Sequence, residues 1–244
     1  MPFTRRRKRA LRWPEGKRMK MVGWLGRAAL ALLGLPMAVN VLGSLYFAMT
    51  RRLVLTPPES STLMWDIWVV SWIVAVVWSR RTAARPPALD QLVHWLPTAV
   101  GILLLAFGSI GTNFTPLWRL PDVANWSLAG TCGAGLIFTW WARISLGSLW
   151  SGSVSRKDDH TVIQSGPYRL VRHPIYTGLI IAAFASAIQV GQAANLLGAL
   201  LMAFGFWLKA RLEERFLDQE LGSDAYADYR QRTPMLIPFW PVKG

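Results

Sequence analysis

Six stretches of this chain are apolar for long enough to cross, or nearly cross, a lipid bilayer. They lie near residues 28–48, 62–79, 92–110, 126–143, 174–190 and 194–210. A helix needs about 20 mostly apolar residues to traverse a hydrocarbon core of roughly 30 Å. Helices and closed barrels are the structures that satisfy every backbone polar group where no water is present. The second stretch is short and carries Asp66 near its start. The last two are separated by a few residues around Gly191 and read as a tight antiparallel hairpin. The expectation is an all-α integral membrane protein of about six transmembrane helices.

The basic residues orient these spans. With the N-terminus inside, the inside segments hold 24 of the 27 Lys and Arg and the outside loops hold 3. Positive residues concentrate on the cytoplasmic side of membrane proteins. Both termini are therefore expected in the cytoplasm, and the net charge of +14 is expected at the inner membrane surface. Charged residues make up only 16% of the chain, against roughly 25% in a soluble domain. The basic balance thus points to lipid headgroups and not to nucleic acid. One Cys excludes an intramolecular disulfide and a multi-Cys metal cluster, and no metal site is read.

The chain divides into a basic N-terminal segment (1–27), N-terminal helices without a recognised motif (28–125) and a C-terminal membrane domain (126–244). The run TRRRKRALRW reads as a retained anchor, because the apolar block after it is longer than a signal peptide's and no clear cleavage motif follows. Trp13, Trp24, Trp65, Trp126 and Trp240 fall near span ends, where indoles suit the interface. Gly130, Gly133 and Gly135 suggest close helix packing. Cys132 reads as a small packed residue, and Asp66 as a structural acid within reach of Arg51 or Arg52.

Polar residues are costly in this setting, so their clusters inform. One runs DDHTVIQSGPYRLVRHPIYTG from Asp158 to Gly178; the other runs from Lys209 to Pro234. Pro174 suits the first turn of a helix, which places His173 at the cap. The free N–H groups of that turn can bind an anion. The sixth span continues as helix to about Leu221, so it projects beyond the bilayer. Adjacent on it, Glu213 and Glu214 point about 100° apart, so at most one is expected to enter a given pocket. Lys209 with Glu213, and Arg211 with Glu214, have pairing distances along the helix. Glu214 reads as a solvated or supporting residue and Arg172 as a positive-inside residue. Asp224, Tyr226, Asp228 and Tyr229 read as a short amphipathic tail helix.

GPYRLVRHPIYTG, followed some 35 residues later by an EE pair and then LGSDAYADYRQRTPMLIPF, resembles the isoprenylcysteine carboxyl methyltransferase family. The related phospholipid N-methyltransferases share much of this pattern. The resemblance covers about residues 126–240. It implies a membrane methyltransferase whose cofactor, S-adenosyl-L-methionine, sits in a cytoplasmic pocket formed by the C-terminal half. By position it implies cofactor contacts from His160, Thr161, Val162 and Ile163, then Tyr168, then His173, Pro174, Ile175 and Tyr176, and then Glu213. It implies a basic residue that orients the substrate, which Lys209 or Arg211 would supply. A Gln that eukaryotic members place seven residues before the first of these His residues is Ser153 here.

The chemistry is consistent with these residue types. A sulfonium methyl donor is already activated, so a carboxylate or thiolate acceptor needs positioning and desolvation more than a base. A Glu can hold an amino group or ribose hydroxyls, and Tyr faces attract a sulfonium. The expected function is methyl transfer to a lipophilic or small acceptor, an isoprenylcysteine-type carboxylate or a thiol. The expected partners are that acceptor and membrane lipids, with no obligate protein partner. The expected location is multi-pass in a bacterial inner membrane or the endoplasmic reticulum. Three alternatives stand beside it: a phospholipid N-methyltransferase, a non-enzymatic lipid-binding protein, and an NADPH-dependent sterol or enone reductase type. In the last, Arg169, Arg172 and Arg211 would hold the 2′-phosphate.

Overall fold

A computed structural model describes residues 55–75, 88–108, 115–147, 163–221 and 223–241. Among these residues the chain is all-α: α1 (Pro57–Ala75), α2 (Ala88–Phe107), α3 (Asp122–Leu146), a 3₁₀ turn (Gly166–Arg169), α4 (Pro174–Val190), α5 (Ala193–Leu221) and α6 (Ser223–Arg232). The expected span near 28–48, the basic segment 1–27, and Arg51 and Arg52 lie outside the described residues.

Each of the other five expected spans contains a helix. α5 has the length and composition of a membrane span over Ala193–Asp218, while Gln91–Phe107 and Pro174–Val190 are shorter apolar helices. α3 carries more polar residues, and it satisfies several internally. Ser127 Oγ donates to the Val123 carbonyl, Thr131 Oγ1 to Ser127 and Thr139 Oγ1 to Leu136, each at 2.7–2.8 Å. Large apolar side chains stand exposed along every one of these helices, among them Ile73, Leu96, Ile137, Ile181 and Leu200. Lipid tails match such side chains.

α4 ends at Gly191, whose left-handed φ of 69° turns the chain, and α5 starts two residues later. The two helices form the expected hairpin. The tightest packing, however, joins other pairs. A Cβ on Gly135 of α3 would lie 2.6 Å from the Gly178 carbonyl of α4, and one on Gly178 would lie 2.5 Å from the Gly135 carbonyl. Gly101 of α2 and Gly198 of α5 face each other in the same way, at 2.6 and 2.8 Å. Backbones this close exclude any side chain. The glycine expectation holds for Gly135 and for Gly133, which meets Met64, but not for Gly130, which has open space around it.

Trp65 is partly buried against a neighbouring helix. Its indole N–H donates to Ser186 Oγ at 3.1 Å, and its ring meets Trp68 in a T-shape. Trp68 stacks on Trp72 at 4.6 Å and donates to Thr139 Oγ1, so an aromatic ladder joins α1 to α3. Trp126 and Trp240 are exposed. Cys132 is buried and packs as a small residue beside Ser186.

Candidate functional site

The site forms where the N-terminus of α4 meets the outer half of α5. Pro174 opens α4 and His173 is its N-cap, but the imidazole makes no capping bond. It turns instead toward α5. Its Nδ1 lies 3.4 Å from Glu213 and its Nε2 lies 3.2 Å from Glu214. The adjacent carboxylates therefore both engage one residue, one at each ring nitrogen. The 100° separation that argued against shared use is spanned because imidazole presents two nitrogens on opposite edges.

Glu213 also accepts a 2.7 Å hydrogen bond from the Tyr176 hydroxyl. Tyr176 stacks between His173 and Phe206, at 5.5 and 5.1 Å between ring centres. The Lys209 ammonium lies 5.1 Å from the Tyr176 ring centre. Lys209 is buried, whereas Arg211 is exposed and lies over the Trp207 indole. Of the two basic candidates, Lys209 is the one that shares the site's space.

Glu214 departs from its solvated reading. It is buried and is held by Arg172, whose Nε donates to it at 2.8 Å. Arg172, rather than Arg211, is thus its partner along with Arg230. The same guanidinium donates through Nη1 to the carbonyls of Arg230 and Thr233 in the tail. A buried carboxylate draws in whatever cation can reach it, and a side chain from α4's approach reaches where Arg211, on the outer face of α5, does not. Arg172 and Glu214 are the residues that sequence reasoning undervalued. The signal was the run Arg172-His173 opposite an acidic pair.

The tail covers this end of α4. Arg172 N–H donates to the Pro234 carbonyl at 2.8 Å and His173 N–H to Met235 at 3.1 Å, and the Thr177 hydroxyl donates to Leu236 at 2.6 Å. Of the donors at this helix start, the cap residue's N–H is thus taken up by the chain itself. α6 is the expected tail helix, and its Tyr226 and Tyr229 are buried. Tyr229 donates to the Tyr168 carbonyl at 2.7 Å. Burial, with Glu213 nearby, pushes the Tyr168 phenol above its ordinary value; burial does the same to Tyr229. Both stay protonated.

Of the remaining site candidates, Pro174 and Ile175 are buried at the start of α4, and Ile163 packs against the core. His160, Thr161 and Val162, and Ser153, lie outside the described residues. The arginine cradle of the reductase alternative is not assembled: Arg172 is held by Glu214 and the tail, Arg211 lies on Trp207, and Arg169 is exposed.

Burial lowers the His173 pKa, but the hydrogen bonds and charges of Glu213 and Glu214 outweigh it, and the net shift is upward. A raised folded-state pKa stabilises fully below the ordinary value of 6.5 and loses that contribution as pH rises through the folded value. Thermal unfolding in detergent is expected to show a midpoint that declines from about pH 6.5 upward. His173→Gln should remove that decline; a decline of equal size in the variant would assign it to other groups.

The residues also bear on what the site can hold. Glu213 keeps 20% of its side chain exposed, while Glu214 keeps 8%. Glu213 is the carboxylate that a ligand can reach. A reachable carboxylate suits an amino group or ribose hydroxyls, and the Lys209 ammonium one turn earlier suits a carboxylate. S-adenosyl-L-methionine carries an amino group and ribose hydroxyls, so Glu213 fits it, and Lys209 is left for an acidic acceptor. Tyr176 differs from expectation in one respect: its faces are already covered by His173 and Phe206, leaving its hydroxyl as the working group.

The family model described as the isoprenylcysteine carboxyl methyltransferase (ICMT) family matches residues 128–219. The chain is 32% identical over 146 residues to methanethiol S-methyltransferase 2 of Bradyrhizobium diazoefficiens, covering 56% of this chain and 55% of that protein. It is 30% identical over 164 residues to protein-S-isoprenylcysteine O-methyltransferase of Schizosaccharomyces pombe, covering 61% and 68%. It is 33% identical over 181 residues to a probable protein-S-isoprenylcysteine O-methyltransferase of Oryza sativa subsp. indica, covering 74% and 80%. The family is one of integral membrane proteins that use S-adenosyl-L-methionine. The matched segment and these relatives show it: the chain belongs to the isoprenylcysteine carboxyl methyltransferase family.

Proposed function

We propose that this protein is a membrane methyltransferase that moves a methyl group from S-adenosyl-L-methionine to a small or lipophilic acceptor, an isoprenylcysteine-type carboxylate or a thiol. The observation that carries this reading is the His173 imidazole held between Glu213 and Glu214, with the Tyr176 hydroxyl on Glu213. When bound, the cofactor, held by Glu213, would supply an activated methyl group to the acceptor's lone pair and would keep the electron pair of its broken carbon–sulfur bond on sulfur.

The protein's part is positioning. Glu213 accepts from the cofactor's amino group or ribose hydroxyls, and Tyr176 fixes that carboxylate's rotamer. Lys209 draws a carboxylate or thiolate to the seam between α4 and α5, where burial strengthens the attraction. The tail over α4 keeps water from the reacting atoms. The site faces the cytoplasm, six spans place both termini on that side, and the acceptor arrives from the lipid. The printed names of the relatives support a carboxylate and a thiol as the two acceptor classes.

Calorimetry with the demethylated cofactor tests the reading. A hydrogen bond to a charged group contributes about 1.5–3 kcal/mol, so Glu213→Ala is expected to weaken binding roughly ten- to hundredfold, and Tyr176→Ala to weaken it less. Wild-type affinity in both variants would sink the proposed site. Mass spectrometry of lipid and thiol extracts incubated with methyl-labelled cofactor then identifies the acceptor.

A further inference from the structure

The place of the His173 ring between two carboxylates fixes how many protons it carries. Nδ1 lies 3.4 Å from Glu213 Oε2, and Nε2 lies 3.2 Å from Glu214 Oε1. An ionised carboxylate only accepts hydrogen bonds, so each ring nitrogen must donate, and both are donors in the imidazolium alone. Burial opposes that charge, but Glu213 and Glu214 outweigh it. The two carboxylates differ in what else they hold. Glu214 is the more buried and also pairs with Arg172 and Arg230. Glu213 is the more exposed, and its other oxygen, Oε1, accepts from the Tyr176 hydroxyl. Around them stand Lys209 of α5, over the Tyr176 ring, and the buried phenols of Tyr168, Tyr226 and Tyr229. Pro234, Met235 and Leu236 of the tail bring carbonyls and no charge. Lys209 lies one turn before Glu213, so a ligand's ammonium on Glu213 would be a third cation around a single reachable carboxylate. Like charges this close disfavour each other's charged form, and of the three the imidazolium has the lowest ordinary pKa.

We propose that Glu213 takes the cofactor's amino group, and not its ribose hydroxyls, in exchange for the Nδ1 proton of His173. The Nδ1–H bond breaks, its electron pair stays on nitrogen, and the proton goes to water. Nε2–H stays on Glu214, and the Nδ1 lone pair then accepts from the ammonium. One positive charge enters and one leaves, so the pair of carboxylates faces no added charge. The proposal rests on the methyltransferase reading and assigns the part of the cofactor that Glu213 holds.

Calorimetry of the demethylated cofactor in phosphate and in Tris counts the protons, because the two buffers take up a proton with different heats. Near pH 6.5, the ring's ordinary value, about one proton should be released per ligand, and affinity should climb with pH by up to about tenfold per unit. Methylthioadenosine carries the ribose without the amino group and should bind with no release. Imidazole nitrogen NMR gives a second readout, since the chain has only three His. Without ligand the His173 ring should show both nitrogens protonated at that pH; with the demethylated cofactor, Nδ1 should lose its proton and Nε2 keep it. The signal is assigned by its loss in His173→Gln, or by its survival in both His94→Gln and His160→Gln. Binding without proton release, with the imidazolium intact, overturns the exchange. Equal release with methylthioadenosine gives Glu213 to the ribose and overturns the choice of the amino group. Failure of the wild type to bind the demethylated cofactor overturns instead the reading beneath it.

Discussion

Arg172→Met is expected to lower stability by about 3–5 kcal/mol, the range for removing one partner of a buried ion pair. Two consequences coincide. Glu214, buried beside His173, loses its closest cation. The carbonyls of Arg230 and Thr233 lose the donor that ties the tail to α4. Thermal unfolding in detergent should show the loss, and a protease should cut the region after α6 sooner. Arg172→Lys should not restore the wild type, because an ammonium is a point charge and cannot direct donors to a carboxylate and two carbonyls at once. Adding Glu214→Gln to Arg172→Met should recover part of the loss, since no unpaired charge then stays buried. If Arg172→Met unfolds like the wild type, the guanidinium is only one of the positive residues at the membrane surface.

Gly178→Leu is expected to yield no folded protein. Even the Cβ would stand 2.5 Å from the Gly135 carbonyl and 2.7 Å from Thr139 Cγ2, and the first of these is backbone that cannot rotate away. Overpacking costs about 1–3 kcal/mol where a core can adjust, and more where it cannot. Gly178→Ala should already weaken binding of the demethylated cofactor, because separating α3 from α4 moves Tyr176, two residues earlier. Gly130→Ala is the control on α3. Nothing lies within 4 Å of its would-be Cβ, so it should be neutral or gain about 0.5–1 kcal/mol from helix propensity. Equal melting of Gly178→Ala and the wild type would show that the helices have room to part.

The helices were legible because their signals are local. Pro174 preset the start of α4, Gly191 the turn after it, and apolar length the rest. His173, Tyr176 and Glu213 were legible as a motif, and the structure brings these three together. The pairing of Glu214 with Arg172 was not legible because a charge's environment is a tertiary property. On its own helix Glu214 has Arg211 three residues away, yet its partner lies 42 positions earlier in the chain. The partner of Trp65 was hidden for the same reason, since Ser186 is 121 positions away.

The two glycine contacts make the described bundle a set of clasped pairs. α3 is fastened to α4, and α2 to α5, by backbone against backbone. His173 and Tyr176 belong to the first pair; Lys209, Glu213 and Glu214 belong to the second. The candidate site is thus a seam, and its own hydrogen bonds are stitches across it. A guest that takes Glu213 from His173 undoes one of those stitches, so admitting a ligand and easing the pairs apart become one event, with Arg172 and Glu214 left to keep the halves from separating.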